Sequence, residues 1–223
     1  MSASLPLRQD TVHLHCRSPI GVPVEGWLAL GVAAMRPRNA EIFAEGDKAA
    51  KIYRVVSGAV RITKLLCDGR RQIAGFYLPG EFFALEGGAV HRFSAEAIVD
   101  TTLQAFSRRA LHERAETDRG LSEQLWSLAG ANLERAQEHM LLLGRKTASE
   151  RIASFLLDMA ARSEVGDEVA LPMSRQDIAD FLGLTIETVS RTLTQLEREG
   201  TIALPNPRKV VLKNRRRLLA MEE

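Results

Sequence analysis

The sequence predicts an α+β fold: an N-terminal antiparallel β-roll of the jelly-roll-like kind, one long helix, and a C-terminal domain of short helices with a β-hairpin. Three patterns predict it. Short β-like runs alternate with turns between residues 40 and 107, apolar residues follow a helical period from residue 121, and two capped helices precede a hairpin pattern near the C-terminus. We therefore divide the chain into three parts: 1–120, 121–145 and 146–223.

Composition limits the classes of protein that this chain can form. Its 223 residues are 45% hydrophobic and 26% charged, which is typical of a globular protein of one or two domains. No apolar run approaches the ~18 residues that cross a bilayer, and the N-terminus lacks the basic-then-apolar order of a signal peptide. Cys16 and Cys67, far apart in the sequence, indicate no disulfide framework. We expect a cytoplasmic protein with no membrane partner.

The N-terminal half carries the β-roll prediction. Residues 1–25 show no sustained period, and residues 26–35 are compatible with a short helix. From residue 40, runs such as IYRVVSG and VRITKLL are separated by turn signals at roughly even spacing, for example at Gly58 and Gly69. Short strands with evenly spaced turns are typical of an antiparallel sandwich or barrel.

A heptad pattern marks the long helix. Its apolar positions recur at steps of 3, 4, 3, 4 and 3 along the sequence. The positions are Trp126, Ala129, Leu133, Ala136, Met140 and Leu143. This stripe, which we call the seam, predicts a homodimer interface, and its two alanines permit close approach of two helices. The same pattern also fits a helix packed on the core of its own domain, because it covers fewer heptads than a coiled-coil assignment requires.

Two capped helices and a hairpin pattern follow. Ser174 is placed to cap a helix that Gly183 ends, and Thr185 begins a second helix two residues later. A helix, a short glycine turn and a helix have the spacing of a helix-turn-helix. The runs TIAL and VVL, on either side of the turn PNPRK, predict a small β-hairpin after it. Together these elements predict a winged helix-turn-helix domain.

The second helix of that unit places three polar side chains on one face, away from its apolar stripe. They are Glu187, Ser190 and Arg191. In a helix-turn-helix the second helix enters the DNA major groove and its N-terminal residues meet base edges. Arginine pairs with guanine O6 and N7, a carboxylate accepts from cytosine N4, and serine is adaptable. We therefore predict that these three residues read bases in double-stranded DNA. An alternative is an ordinary amphipathic helix with an i,i+4 ion pair between Glu187 and Arg191.

Other polar residues are predicted to contact the DNA backbone. They are Ser174, Arg175, Thr185 and Thr188. A basic segment follows near the C-terminus, although the formal net charge of the whole chain is only +2. Its cations are Arg208, Lys209, Lys213, Arg215, Arg216 and Arg217. This segment fits either a phosphate-contacting surface or a solvated tail.

From about residue 26 onward, the chain resembles the CRP/FNR superfamily of transcription regulators. The stretch from EIFAEGD to LPGEFF is similar to the β-roll of that family, and the long helix is similar to its dimer helix. The run IETVSRTL resembles the E-x-x-S-R recognition helix of the FNR and FixK branch. The resemblance implies a homodimer that reads inverted repeats of the TTGAT-N4-ATCAA type through Glu187, Ser190 and Arg191, with RNA polymerase as a partner.

The sensor domain departs from the ligand-binding members of that family. The resemblance implies that a cyclic-nucleotide pocket needs a Gly-Glu pair and, further on, an Arg-Ser pair. Ala84 and Leu85 stand where the Gly-Glu pair would fall, and Phe93 separates Arg92 from Ser94. An iron–sulfur cluster needs about four thiolates, whereas the chain has 2 cysteines.

Histidines are the remaining ligand candidates. His13, His15 and Cys16 are side-by-side ligand types, but a stable site needs three or four converging ligands. His91 and His139 are conceivable haem ligands by resemblance to the carbon-monoxide sensors of the superfamily, although packing or solvent-facing roles suit both. We therefore expect no metal and no cofactor.

These observations favour a sequence-specific homodimeric activator in an oxygen-limitation circuit, controlled by its own abundance and without an obligatory effector. One alternative is a ligand-gated regulator of the same fold. Another is an enzyme, because a β-roll resembles a cupin barrel. A cupin needs a His-x-His within its strands, and here that pattern occurs at His13–His15, outside the β region. We therefore assign no catalytic residue and expect no enzyme.

Overall fold

The structure, a computed structural model, describes residues 26–162 and 166–221. Its first part contains a 3-10 turn (Leu28–Leu30), β1 (Val32–Arg36), β2 (Glu41–Phe43), β3 (Lys51–Ser57), β4 (Val60–Leu65), β5 (Arg71–Tyr77), β6 (Phe82–Phe83), β7 (Ser94–Ala97), β8 (Thr101–Ser107) and α1 (Arg108–Ala115). The long helix is α2 (Arg119–Arg145). The last part contains α3 (Ala148–Ala161), β9 (Glu168–Ala170), α4 (Arg175–Leu182), α5 (Ile186–Arg198), β10 (Ile202–Asn206), β11 (Lys209–Leu212) and α6 (Arg215–Ala220). No helix within these residues has the length and apolarity needed to cross a membrane.

The first eight strands form two antiparallel four-stranded sheets. Their strand orders are β1-β8-β3-β6 and β2-β7-β4-β5. Val55 of the first sheet and Ala95 of the second are fully buried in one apolar cluster, since alternate residues of each strand face inward. The turn between β3 and β4 requires Gly58, whose φ is +87° and whose Cβ would lie 2.6 Å from the Asp100 carbonyl oxygen. The predicted antiparallel β-roll is confirmed.

The start of the roll differs from the short helix that the sequence suggested for residues 26–35. Leu28–Leu30 form a single 3-10 turn, and strand β1 follows, paired antiparallel with β8. Trp27 is buried against Phe82 and Phe106. The pairing with β8 overrides the local helical preference of these residues. Because β8 lies far along the chain, the local sequence does not reveal this pairing.

Helix α2 has two apolar faces. One face packs on its own chain through Leu121 and Leu128, both buried. The seam lies on another face, where Trp126 is 82%, Leu133 60% and Met140 65% exposed. The remaining seam residues are exposed Ala136 and half-buried Ala129 and Leu143. Trp126, Leu133 and Met140 therefore do not pack on the core of their own domain, and for these three side chains that alternative is wrong.

The last part of the chain folds from local signals. Thr147 caps α3 and forms a capping box with Glu150. Strand β9 joins the hairpin β10–β11 in a three-stranded sheet of order β10-β11-β9. Ile202 and Val210 of the hairpin are buried in the same cluster as helices α3 to α5. This arrangement is a winged helix-turn-helix, as the sequence predicts.

The β-roll and the last domain are joined by apolar and ionic contacts. Phe76 of β5 contacts Phe155 of α3 and Phe181 of α4. The carboxylate of Glu81 is fully buried and pairs with Arg135 of α2 at 2.9 Å and with Arg162 at 2.8 Å. Because removing one partner of a buried ion pair leaves an uncompensated charge, this cluster holds the β-roll, α2 and the end of α3 together.

Candidate nucleic-acid interface

Three capping residues fix the two ends of α4 and the start of α5. Ser174 caps α4 as half of a capping box with Asp177. Gly183 ends that helix with a φ of +62°, the left-handed conformation that favours glycine. Thr185 then caps α5 by accepting a hydrogen bond from the backbone N–H of Thr188. The caps predicted at Ser174, Gly183 and Thr185 are confirmed.

Helix α5, which we call the reading helix, buries one stripe of side chains. Val189, Leu193 and Leu196 are buried. Thr192 is buried beside them, whereas Ile186 is 37% exposed. The buried stripe therefore begins at Val189 rather than at the first apolar residue of the helix. Its polar side faces solvent.

The three predicted base readers lie together on that polar side. Glu187, Ser190 and Arg191 are all exposed, and we call them the reading face. Neither Glu187 nor Arg191 forms an ion pair with any residue that the structure describes. The alternative in which an i,i+4 ion pair occupies both side chains is therefore wrong. Their donor and acceptor groups are open to a partner.

The exposed side of the reading helix continues past the predicted residues. A shallow depression is lined by Ser190, Arg191, Thr194, Gln195 and Arg198. The last three lie at i+3, i+4 and i+7 from Arg191, so they share its side of the helix. They fall outside the E-x-x-S-R motif, and only helical periodicity counted beyond the first turn would have found them.

Two of the predicted backbone contacts, Ser174 and Arg175, lie at the start of α4. The Ser174 hydroxyl donates to Asp177 Oδ2 at 2.8 Å, so it has no second proton for a phosphate while the cap is closed. Arg175 is half-buried, and burial lowers the pKa of its guanidinium. Its Nη1 is buried without a hydrogen-bond partner among the described residues. Phosphate contact by these two residues stays a prediction.

The other two predicted backbone contacts keep a donor available. The hydroxyls of Thr185 and Thr188 lie 3.1 Å apart, and either can donate to the other. Because each hydroxyl carries one proton, one of the two remains able to donate to a phosphate oxygen. This pair stands at the N-terminus of the reading helix, where backbone N–H groups also favour an anion.

The basic segment is partly paired within the chain. Arg217 forms an ion pair with Glu199, and Lys209 forms one with Glu168. The four other cations form no ion pair with the residues described: Arg208, Lys213, Arg215 and Arg216. Arg208 lies in the turn between β10 and β11, which is the tip of the wing. Part of the basic segment is thus open to phosphates.

Asp177 links the first helix of the helix-turn-helix to the β-roll. Its side chain is 4% exposed and accepts from Arg61 Nη1 at 3.1 Å and from Arg71 Nη2 at 2.6 Å. Burial opposes ionisation of Asp177, but hydrogen bonds from Ser174 and the charges of the two arginines outweigh it and hold its pKa below the usual value.

This depressed pKa predicts a pH-dependent contribution to stability. The contribution is present above the unfolded-state pKa of about 3.9 and is lost as pH falls through the lower folded-state value. Near neutral pH, Asp177→Asn should lower the free energy of unfolding by about 2 kcal/mol, because it removes charged hydrogen bonds to Arg61 and Arg71 and leaves each arginine with a single counter-charge, Glu96 or Asp180. Urea unfolding of wild type and variant across the acid range should show this difference shrink as pH falls below the unfolded-state pKa of about 3.9. A difference that stays constant with pH contradicts the prediction.

The segment corresponding to the cyclic-nucleotide pocket is filled by the chain's own side chains. Ala84 is buried with a φ of +61°, a conformation that favours glycine. Leu85, where the ribose-binding glutamate would fall, packs against the cluster that contains Trp27 and Phe82. Arg108 donates to the Ala84 carbonyl at 2.8 Å and also to the carbonyls of Glu86 and Gly88.

The polar residues of that segment also have partners in the chain. Glu86 pairs with the buried His91 at 2.6 Å, and the imidazole stacks on Phe43. The Ser94 hydroxyl accepts from the Glu45 backbone N–H at 3.0 Å. No carboxylate, arginine and serine converge here in the way that a nucleotide pocket of the CRP type requires.

The remaining ligand candidates occupy packing or surface positions. His139 is half-buried, stacks on Phe181, and donates to its carbonyl oxygen at 2.8 Å. Burial lowers the pKa of His139. Cys67 is exposed as a free thiol. His13, His15 and Cys16 lie outside the described residues, and inside them no group of three or more His, Cys, Asp or Glu side chains is placed to hold a metal.

A β-roll joined by a long helix to a winged helix-turn-helix with an open polar reading face defines a class, the DNA-binding transcription regulators. A profile described as a Crp-like helix-turn-helix domain matches residues 150–221. A second, described as a cyclic nucleotide-binding domain, matches residues 36–118. The chain belongs to the CRP/FNR family and to its FixK branch.

Individual relatives support the same assignment. The nitrogen fixation regulation protein FixK of Azorhizobium caulinodans is 55% identical over 205 residues, which cover 90% of this chain and 83% of that protein. The transcriptional activatory protein AadR of Rhodopseudomonas palustris is 46% identical, over 75% of this chain and 72% of that protein. The structure of FixK2 from Bradyrhizobium japonicum has a TM-score of 0.84 and 48% identity, over 86% of this chain and 98% of that one. This chain is therefore a FixK-like transcriptional activator, and the prediction of a regulator rather than an enzyme is confirmed.

Proposed function

We propose that this activator is a homodimer that reads a palindrome of the TTGAT-N4-ATCAA type and needs no small-molecule effector to do so. The observation that carries the proposal is the open reading face of Glu187, Ser190 and Arg191. An arginine alone would fit general attraction to phosphates. A carboxylate beside it opposes that attraction, so the pair favours direct reading of bases.

The seam supports the homodimer. Trp126, Leu133 and Met140 leave a long apolar stripe exposed along α2, and such a stripe is typical of an interface. Two copies of α2 paired about a two-fold axis would bury it. A two-fold dimer carries two equivalent reading helices and so matches a palindrome with one half-site for each.

Groups around the reading helix support contacts that place it on the DNA. The Thr185 and Thr188 pair keeps one hydroxyl proton available, and Arg208 and Lys213 are unpaired among the described residues. We assign DNA-backbone contacts to these four residues and to Ser174 and Arg175. Contacts by Ser174 and Arg175 require the cap of α4 to rearrange. Such contacts set position and add salt-dependent affinity without base preference.

The filled nucleotide segment supports effector independence. Leu85 offers no acceptor for a ribose hydroxyl, and Glu86 is paired with His91. The name of one relative, a transcriptional activatory protein, supports an activator. We propose RNA polymerase as its partner and the cytoplasm, where the DNA lies, as its location. Membership of the FixK branch supports a place in an oxygen-limitation circuit in which the abundance of the protein sets its activity.

One observation favours the ligand-gated alternative. A cavity of about 610 Å³ lies between β5, α2, α3 and α4, within the size range of ligand sites. Several of its polar side chains are already paired: Arg135 and Arg162 with Glu81, and Asn132 with Tyr77. The cavity therefore fits an apolar effector better than a charged one.

Binding of the purified protein to DNA tests both readings. At physiological salt we expect the TTGAT-N4-ATCAA duplex to bind at least about a thousandfold tighter than a scrambled duplex, the low end of specific recognition. Millimolar cyclic AMP should leave this affinity unchanged, because the nucleotide segment is filled. Equal binding of both duplexes would contradict the proposed function. A tenfold rise with cyclic AMP would favour the ligand-gated regulator.

A further inference from the structure

A buried ion cluster connects the β4–β5 hairpin to α4. Arg71 donates from Nε to Asp180 Oδ2 at 2.8 Å and from Nη2 to Asp177 Oδ1 at 2.6 Å, so its guanidinium bridges two carboxylates one helical turn apart. Arg61 also reaches Asp177 and pairs behind it with Glu96 at 2.7 Å. Asp177 and Asp180 are both largely buried. We call this group the Arg71 cluster.

The Arg71 cluster holds α4, the helix to which the reading helix α5 is joined. Helices α4 and α5 form one unit, because Leu182 and Val189 share a buried core and the Leu184 N–H donates to the Ala179 carbonyl at 3.0 Å. Asp177 is also the capping-box residue of α4. Whatever holds Asp177 therefore holds the N-terminus of α4 and, through the turn, the orientation of α5.

The covalent connection between the dimer helix and the last domain is short and non-helical. Lys146 and Thr147, between α2 and α3, both have extended backbone conformations. Such a junction permits rotation of the last domain about it unless other contacts fix the angle. The contacts that cross this boundary include the Arg71 cluster on α4 and the Glu81 cluster at the end of α3.

We propose that Arg71 is a positioning residue for DNA recognition. By holding Asp177 and Asp180 it fixes the angle of the last domain relative to the dimer axis, and thereby sets the half-site spacing that two reading helices accept. This inference rests on the proposed palindrome-reading dimer. Arg71 lies on β5 of the β-roll rather than on the reading helix, so its proposed effect on the operator passes through α4.

Half-site spacing is a readout that this role changes and a general loss of stability does not. One added base pair moves a half-site by about 3.4 Å and rotates it by about 35°. A rigid dimer loses affinity when the half-site is displaced in this way. In a dimer whose last domains are loosely held, the reading helices can move with the half-site, so less affinity is lost. Loosening also lowers the fraction of molecules in the operator-competent arrangement, and apparent affinity falls in proportion.

The experiment measures binding of the full-length protein to duplexes whose half-sites are separated by N3, N4 or N5. For wild type we expect affinity to fall at least about tenfold when the spacer changes by one base pair, the size of a mismatched contact. For Arg71→Gln we expect weaker binding to N4, by about tenfold if a tenth of the molecules remain competent. We also expect a spacer penalty below about threefold, with base preference inside each half-site unchanged.

Matched variants keep the outcome interpretable. Arg70→Gln removes the neighbouring, exposed arginine, which pairs with Asp68 in the hairpin turn, and should bind like wild type. Arg71→Lys keeps the charge and should recover part of the spacer penalty. If Arg71→Gln does not fold by circular dichroism, Asp180→Asn removes one partner only and should give the same change in smaller degree.

The outcomes separate this inference from the proposed function. Wild type that binds N3, N4 and N5 equally overturns the palindrome-reading dimer and the inference with it. Wild type that prefers N4, together with a folded Arg71→Gln that keeps the full spacer penalty or weakens all duplexes equally, overturns the inference alone. A flattened spacer profile in Arg71→Gln, absent from Arg70→Gln, supports it.

Discussion

Replacing Arg191 by alanine should remove base preference at one position of each half-site. The guanidinium is exposed on the reading face and forms no ion pair with the residues described, so it is available for a bidentate contact with guanine O6 and N7. Loss of such a contact costs about 1–3 kcal/mol. A dimer reads two half-sites, so the full operator should lose roughly twice that amount if the contacts are additive.

The measurement is a titration of wild type and Arg191→Ala against the operator and against operators changed at single base pairs, at two salt concentrations. Arg191→Ala should bind the operator and the guanine-substituted operator with similar affinity. Lys213→Ala is the matched control, because Lys213 is an exposed cation without an ion pair in the described chain. If Lys213 contacts a phosphate, its loss should weaken every duplex alike and flatten the salt dependence. Equal weakening of all duplexes by Arg191→Ala would make Arg191 a phosphate contact and contradict our assignment.

The reading face was predictable because its determinants are local. A capping hydroxyl at Thr185, a glycine at 183 and an apolar stripe of helical period are all encoded within twenty residues of sequence. The same is true of the capping box of α3 at Thr147. Such signals act through neighbouring backbone groups, so they keep their meaning without knowledge of the rest of the fold.

Elements that depend on distant partners were not predictable in this way. Strand β1 forms because it pairs with the distant strand β8. The local sequence of residues 26–35 carries no sign of that partner, so on its own it suggests a helix. The Glu81 and Arg71 clusters join residues that lie far apart in the sequence, such as Arg71 and Asp177. In the sequence these charges are indistinguishable from solvated ones, because charge patterning carries no information on burial.

The heptad pattern of α2 was informative but incomplete. It identified the seam, whose largest side chains remain exposed in the single chain. It did not identify the second face of the same helix, through which Leu121 and Leu128 pack on the β-roll. Helix α2 therefore carries two superimposed apolar patterns, and the heptad pattern alone does not tell which face packs on the β-roll and which stays exposed.

Replacing Ala136 by glutamate should dissociate the dimer and remove operator binding. Ala136 is an exposed seam residue at the step between Leu133 and Met140. In a two-fold pairing of α2 the two new carboxylates would face each other in an apolar interface, where burial and like charge both oppose association. A monomer binds one half-site without the effective concentration of the second, so operator affinity should fall by a factor of about 10²–10⁴.

Sedimentation at micromolar concentration and titration of the operator measure the two effects together. Ser127→Glu is the control, because it adds the same charge to an exposed position of α2 away from the seam, and it should remain dimeric. Circular dichroism should show both variants folded, since Ala136 is not part of the buried core of its own chain. The loss of operator binding should result from the loss of the dimer alone. Ala136→Glu should therefore bind a single half-site duplex as well as wild type does, because the reading face on α5 is untouched. If Ala136→Glu remains dimeric, the dimer interface lies elsewhere, and the seam does not bring the two reading helices to one palindrome.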